Sequence, residues 1–192
     1  MELNNKIIGV INKKYNANKE KVLHSLKIKE NDKFKQYKRS RKYKKEIELD
    51  KKINSNYDLI KLNIWNDIYR DKKELTLIEP SLILDYNEQV ELIKLLKSLK
   101  MKFDIQFKIV SNDTDFLISL VDYVFIKNRG IIIAQGSKYE ILGNEKLLLE
   151  NNIKIPDIIS FKNYVYKRIG IKLTNRDNVN DLIKDIYMVC NK

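Results

Sequence analysis

The chain has 192 residues, 43% of them hydrophobic and 33% charged, with a net charge of +12 at neutral pH. That size and apolar content allow one well-packed domain, alone or with a small appendage, and exclude wholesale disorder. With one cysteine, Cys190, and one histidine, His24, the chain cannot form an internal disulfide, a Cys- or His-built metal cluster, or a Ser-His or Cys-His catalytic pair.

No stretch approaches the roughly 20 consecutive apolar residues of a membrane span. The opening MELNNKIIGVINKKYN fits no secretory signal, so the expected location is the cytoplasm, with any membrane contact peripheral at the inner face. The positive charge points to an anionic partner, nucleic acid or a lipid surface. Compositional bias toward Lys, Ile and Asn, with alanine only at Ala17 and Ala134, accounts for it equally well.

In chain order, Lys6 to Ile11 (KIIGVI) suits a buried strand, and Lys19 to Leu26 places Val22, Leu23 and Leu26 at helical spacing. His24 reads as a plain helix residue. Strand, loop and helix follow one another as in a phosphate-binding loop, with Gly9 and Lys19 as candidate remnants of GxxxxGK[ST]. The gap between them is too long, however, and Glu20 follows Lys19. A phosphate loop needs glycines to turn backbone N–H groups toward phosphate and a hydroxyl for magnesium. The segment Lys33 to Lys45 (KFKQYKRSRKYKK) holds Lys33, Lys35, Lys38, Arg39, Arg41, Lys42, Lys44 and Lys45 without an acid, interleaved with Phe34, Tyr37 and Tyr43. Such a run suits RNA or single strands, through phosphate neutralisation and stacking, or anionic lipid headgroups, or is a solvated charged face.

Asp58 to Tyr69 reads as a helix with Leu59, Leu62, Trp65 and Ile68 on one face. Leu75 to Ile78 reads as a buried strand ended by Glu79 and Pro80, since proline has no N–H for a sheet ladder. Glu79 therefore stands at a strand's carboxyl end, where open α/β sheets bind ligands, with Asp85 in the loop after it. Asn87 to Lys100 is the clearest amphipathic helix, with Val90, Ile93, Leu96 and Leu99 on its stripe and Asn87 as its cap. Asp104 to Val110 returns as a parallel strand, Thr114 to Leu120 is a short helix, and Tyr123 to Lys127 pairs with Ile131 to Gln135 around a three-residue turn with Gly130 left-handed. Glu145 to Asn151, Ser160 to Arg168 and Val179 to Val189 form a helical tail burying Leu147, Leu148, Phe161, Val165, Leu182 and Ile186 together.

Three fragments in this order carry a resemblance. LTLIEPSLILD (Leu75 to Asp85), FKIVSND (Phe107 to Asp113) and VDYVFIKNRGIIIAQGSKYEIL (Val121 to Leu142) resemble the Walker B strand with its D-loop, the switch loop, and the following hairpin of ABC-type ATPases, written LILDEPTAGLD, IILVSHD and ADRVIVMDKGKIVAEGTPEEVL. The tail from Lys146 to Val165 resembles the C-terminal extension of the ATPases of energy-coupling factor (ECF) importers, which helps two ATPase subunits associate. The resemblance implies an α/β fold, a reduced P-loop NTPase-like sheet flanked by helices over residues 1–143, with a basic insertion-like segment near residues 27–53, and a helical extension over 144–192.

It also implies which residues are lost. The Walker B aspartate falls at Ile78, the water-polarising carboxylate at Glu79, the D-loop aspartate at Asp85, the switch histidine at Asn112, and the signature at NSNYD (Asn54 to Asp58), which keeps only Ser55. Glu79 and Asn112 are then relics of a catalytic set, Lys19 and Asp85 weak candidates for nucleotide contact, and no cofactor is expected, with ATP and magnesium as the alternative. The reading that follows is a non-hydrolysing homologue of an ECF ATP-binding subunit, a structural or regulatory partner of an ECF ATPase or transmembrane subunit. The alternative is a nucleic-acid-binding or ribosome-associated protein using Lys33 to Lys45. A remnant with no present activity is a third reading.

Overall fold

A computed structural model describes residues 6–13, 18–31 and 55–190 of the chain. The basic run Lys33 to Lys45 and Asn54 lie outside the described residues.

β1 (Ile7–Asn12) is apolar throughout its first five positions, and all five are buried. A strand covered on both faces belongs inside a sheet, and β1 is the middle strand of five, in the order β2-β3-β1-β4-β5. It pairs in parallel with β3 (Gln106–Val110) and β4 (Tyr123–Asn128). β2 (Glu74–Ile78) pairs in parallel with β3, as expected from the helix between them, and β5 (Ile131–Ser137) closes the sheet antiparallel to β4. Gly9 is a strand residue and not part of a loop. A Cβ there would meet Val121 and Leu117 at 3.2–3.3 Å, so its small size serves close packing under the helix that precedes β4.

α1 (Lys19–Asn31) packs on α2 (Asn56–Tyr69) and on the 3-10 turn Pro80–Ile83. The four apolar positions predicted for one face of α2 are all buried, but so are Ile60, Asn63, Ile64 and Asn66. The helix is covered nearly all round because α1 and α3 flank it. Trp65 is core, edge-on to Phe103 at 5.9 Å between ring centres.

α3 (Tyr86–Phe103) starts one residue before the expected Asn87, and its cap is Asp85. Asp85 Oδ1 accepts from the Glu88 N–H at 2.9 Å, and Glu88 Oε2 accepts from the Asp85 N–H at 3.1 Å. This reciprocal pair satisfies two otherwise orphaned donors, which Asn87 inside the first turn cannot do. The buried stripe is Leu92, Leu96 and Leu99, with Ile93 at its flank and Val90 only half-buried.

α4 (Thr114–Leu120) lies where expected. The β4–β5 turn has two residues, not three, since Asn128 pairs directly with Ile131. Arg129 and Gly130 both have positive φ, 50° and 84°, the backbone twist that matches flanking strands in a two-residue hairpin. In the tail, α5 (Lys138–Leu142) and α6 (Glu145–Glu150) lead to α7 (Asp157–Ile169) and α8 (Val179–Cys190). Leu148 and Leu182 are buried as expected and Leu147, Val165 and Ile186 pack beside the core, but Phe161 is 44% exposed. Ile158 and Ile159 take the inward face of α7 instead.

Candidate functional site at the carboxyl ends of the strands

β2 alternates as a half-buried strand, with Leu75 and Leu77 turned in and Thr76 and Ile78 turned out. The same parity carries Glu79 inward, where it is 8% exposed. Its N–H still bonds to Val110 O at 2.7 Å, so β2 leaves the sheet only after this residue. Pro80 then fixes the first position of the 3-10 turn, and Glu79 adopts the left-handed region, φ 44° and ψ 49°. For a residue with a Cβ this conformation costs about 1 kcal/mol or more.

The buried carboxylate is held by the loop after β3. Ser111 Oγ donates to Glu79 Oε2 at 2.7 Å, and the Asn112 N–H donates to Oε1 at 3.1 Å. Ser111 is itself fixed, because its N–H bonds to Val10 O of β1 and its hydroxyl accepts from the Asp113 N–H at 3.1 Å. Asp113 caps α4 through the Phe116 N–H. Burial raises the Glu79 pKa above its ordinary value, the Ser111 and Asn112 hydrogen bonds pull it down, and the charge of Asp113 adds to the rise; the balance is upward. Thr114, fully buried at the start of α4, has a hydroxyl without a hydrogen-bond partner.

Of the site residues expected from sequence, the structure brings together Glu79 and Asn112, the latter through its backbone. Ser111 and Asp113 complete the network, and Thr114 lies buried beside it. The fragment FKIVSND contains both Ser111 and Asp113, but no local pattern in it marks them as partners of Glu79. Ile78 is 44% exposed on the outer face of the edge strand. Asp85 is committed to capping α3, and Ser55 to capping α2 through the Asp58 N–H at 3.1 Å. Lys19 is exposed at the first position of α1, whose cap is Asn18, accepting from the Lys21 N–H at 2.9 Å.

Counted back from Lys19, the residues between β1 and α1 are 13–18, the length of GxxxxG before its lysine. The relevant starting point is therefore Lys13 and not Gly9. Neither Lys13 nor Asn18 is glycine, and Glu20 stands where the magnesium-binding hydroxyl would be. Among the described residues no three His, Cys, Asp or Glu side chains converge as ligands for an ion, and no helix is long and apolar enough to cross a membrane.

No protein-family model matches the chain. Over 84 residues it is 32% identical to a Clostridium acetobutylicum protein assigned to the ABC transporter ATP-binding proteins, covering 44% of this chain and 30% of that one. Over 114 residues it is 28% identical to the energy-coupling factor transporter ATP-binding protein EcfA2 of Mesomycoplasma hyopneumoniae, covering 59% and 37%. The chain is a homologue of ABC transporter ATP-binding proteins. Its fold is that of cbiO1 from Clostridium perfringens, part of the ABC transporter complex cbiONQ, with a TM-score of 0.51 at 23% identity over 80% of this chain and 66% of that one. The match to the curated relatives spans less than half of their length. β3 lies between β1 and β2 in the sheet. That order brings the backbone of the loop after β3, through Asn112, onto Glu79.

Proposed function

We propose that this chain is a degenerate homologue of an ECF-type ABC ATP-binding subunit that does not hydrolyse ATP. Its role is that of a structural or regulatory partner in a membrane transport complex, held peripherally beside an ECF ATPase or a transmembrane subunit. The observation that carries this reading is Ile78, an exposed side chain without a donor atom at the position matching the magnesium-ordering aspartate.

Two further features support it. Residues 13–18 offer no glycine, and Glu20 brings a negative charge toward the place of a phosphate. Both oxygens of Glu79 are engaged by Ser111 and Asn112, which leaves the carboxylate poorly placed to polarise a water. These donors do not fit ATP with magnesium, so no hydrolytic step is assigned to them. The homology to EcfA2, a transporter ATP-binding protein, supports the partner class.

Affinity purification of the tagged protein under native expression tests the proposal. Recovery of an ECF ATPase or its membrane subunit, stable to high salt, is the expected result. The second reading, nucleic-acid binding, draws on the eight basic residues from Lys33 to Lys45. Its expected result is RNA that is lost as salt rises, because phosphate contacts release counterions. RNA recovery without a transporter component would replace the first reading by the second.

A further inference from the structure

The tail contains a groove of about 500 Å³ between the second half of α7 and the chain that follows it, lined by Lys162, Tyr166, Lys172, Leu173, Thr174 and Asn175. It shares no residue with the Glu79 network.

Lys162 is the unexpected member. On α7 it follows Ile158 by four residues and Ile159 by three, so it continues the inward stripe that those two buried side chains define. At that position an apolar residue would extend the core. Instead the half-buried residue is a lysine, whose ammonium group donates to the Asn175 side-chain oxygen at the groove's surface. Lys172 faces the same groove, and no Asp or Glu lines it. Among the described residues neither lysine forms an ion pair. The nearby carboxylate of Asp185 is already engaged by Arg176, in two hydrogen bonds, and by Thr174. Burial, and then the charge of Lys172, push the Lys162 pKa below its ordinary value. Two cations are therefore held together, one partly desolvated, with no carboxylate among the described residues paired to either, an arrangement that costs stability unless an anion completes it.

We propose that this groove binds a phosphoryl-bearing anion between Lys162 and Lys172. A phosphoryl group carries up to two negative charges, matching two ammonium groups, and lysine serves phosphate as a point charge. The groove is larger than bare phosphate and lies in the size range of small-molecule pockets. Tyr166 and Leu173 supply apolar surface for the organic part of the ligand. Its source is a phosphorylated small molecule or a phospholipid headgroup.

Thermal unfolding of the full chain, with amide resonances followed by NMR, tests the site with inorganic phosphate, succinate and chloride as probes. Phosphate should raise the wild-type Tm and shift the amides of Lys162, Lys172 and Asn175. Lys162→Met and Lys172→Gln should each weaken phosphate binding about tenfold, the effect of one lost charge-assisted hydrogen bond. Without phosphate, Lys162→Met should melt at or above the wild-type temperature, since it removes a strained charge and keeps the stem. Lys172 is exposed, so Lys172→Gln reads the site without any demand on the core.

Sedimentation with phosphatidylcholine vesicles, with and without phosphatidic acid, distinguishes the sources. Retention by phosphatidic acid that needs both lysines assigns the headgroup. Phosphate binding without vesicle retention assigns a small molecule. Chloride or succinate acting as strongly as phosphate, or a phosphate response unchanged in both variants, would overturn the proposal.

Discussion

Glu79 combines three costs at one position: a left-handed backbone, a buried carboxyl group and a nearby acid, Asp113. Ser111 and the Asn112 N–H offset part of this. Ser111→Ala should therefore destabilise the protein by about 1–3 kcal/mol at neutral pH, the usual cost of leaving a buried acceptor short of a donor, as read from urea unfolding. The pH dependence has a definite sign. Because the native pKa of Glu79 lies above its ordinary value of 4.5, the native state holds the proton more tightly than the unfolded chain. The contribution of this group to stability is full below pH 4.5 and is lost as pH rises through the native pKa. The stability difference between wild type and Glu79→Gln should thus shift against wild type as pH rises across that window. A difference that stays flat from acid to neutral pH would show that burial does not dominate at this carboxyl group. The cost of Ser111→Ala should shrink toward the acid end, where the carboxyl group carries no charge.

At the scale of elements, one acid in the connection between α7 and α8 joins that connection to three earlier helices, α3, α4 and α5. Asp177 accepts from Lys138 and from the Tyr139 hydroxyl, each at 2.5 Å, and lies 3.7 Å from Lys97 of α3, while its carbonyl accepts from Ser119 of α4. Burial works against its charge, but the Lys138 and Tyr139 hydrogen bonds hold its pKa below the ordinary value. Asp177→Ala should cost about 1–2 kcal/mol, after allowance for its partial exposure, and should expose the 170–178 connection to protease before the sheet unfolds. The strands and helices were legible because apolar periodicity reports burial directly, as in β1 and the Leu59, Leu62, Trp65, Ile68 set of α2. Asp177 was not legible, since its partners lie 38 to 80 positions earlier in the chain and no local pattern joins them. The cap of α3 has a related cause: Asp85 carries the motif resemblance, and its reciprocal capping box with Glu88, three positions on, is the local signal that sets the helix start. At the site, resemblance located Glu79 and Asn112 by position. That Asn112 acts through its backbone, with Ser111 as the side-chain donor, follows from the geometry of the β3 end.

At the scale of the whole molecule, the proposed lack of hydrolysis can be traced either to a few positions or to the part of the relatives' length that the match does not span. The resemblance to ABC ATPases implies that each ATP site joins the phosphate loop and Walker B strand of one subunit to the signature of another. By that resemblance the near half of such a site would rest on β1, α1 and β2, and β1 and β2 both pair in parallel with β3. Four positions depart from the phosphate-loop and Walker B patterns themselves: Lys13 and Asn18 at the glycines, Glu20 at the hydroxyl, and Ile78 at the acid. The wild-type protein should give no heat with magnesium and ATP in calorimetry. A variant carrying Lys13→Gly, Asn18→Gly, Glu20→Ser and Ile78→Asp should bind, because backbone N–H groups at a helix start and a magnesium-ordering acid are then restored to a retained sheet. It should not turn over alone, since Asn54 to Asp58 offers no paired glycines for a second subunit's γ-phosphate. Mixed with an intact ECF ATPase, turnover that depends on the repaired variant would place the loss in those four positions. Binding without turnover would place it in the subunit interface, and heat from the wild-type chain would remove the basis for calling it degenerate.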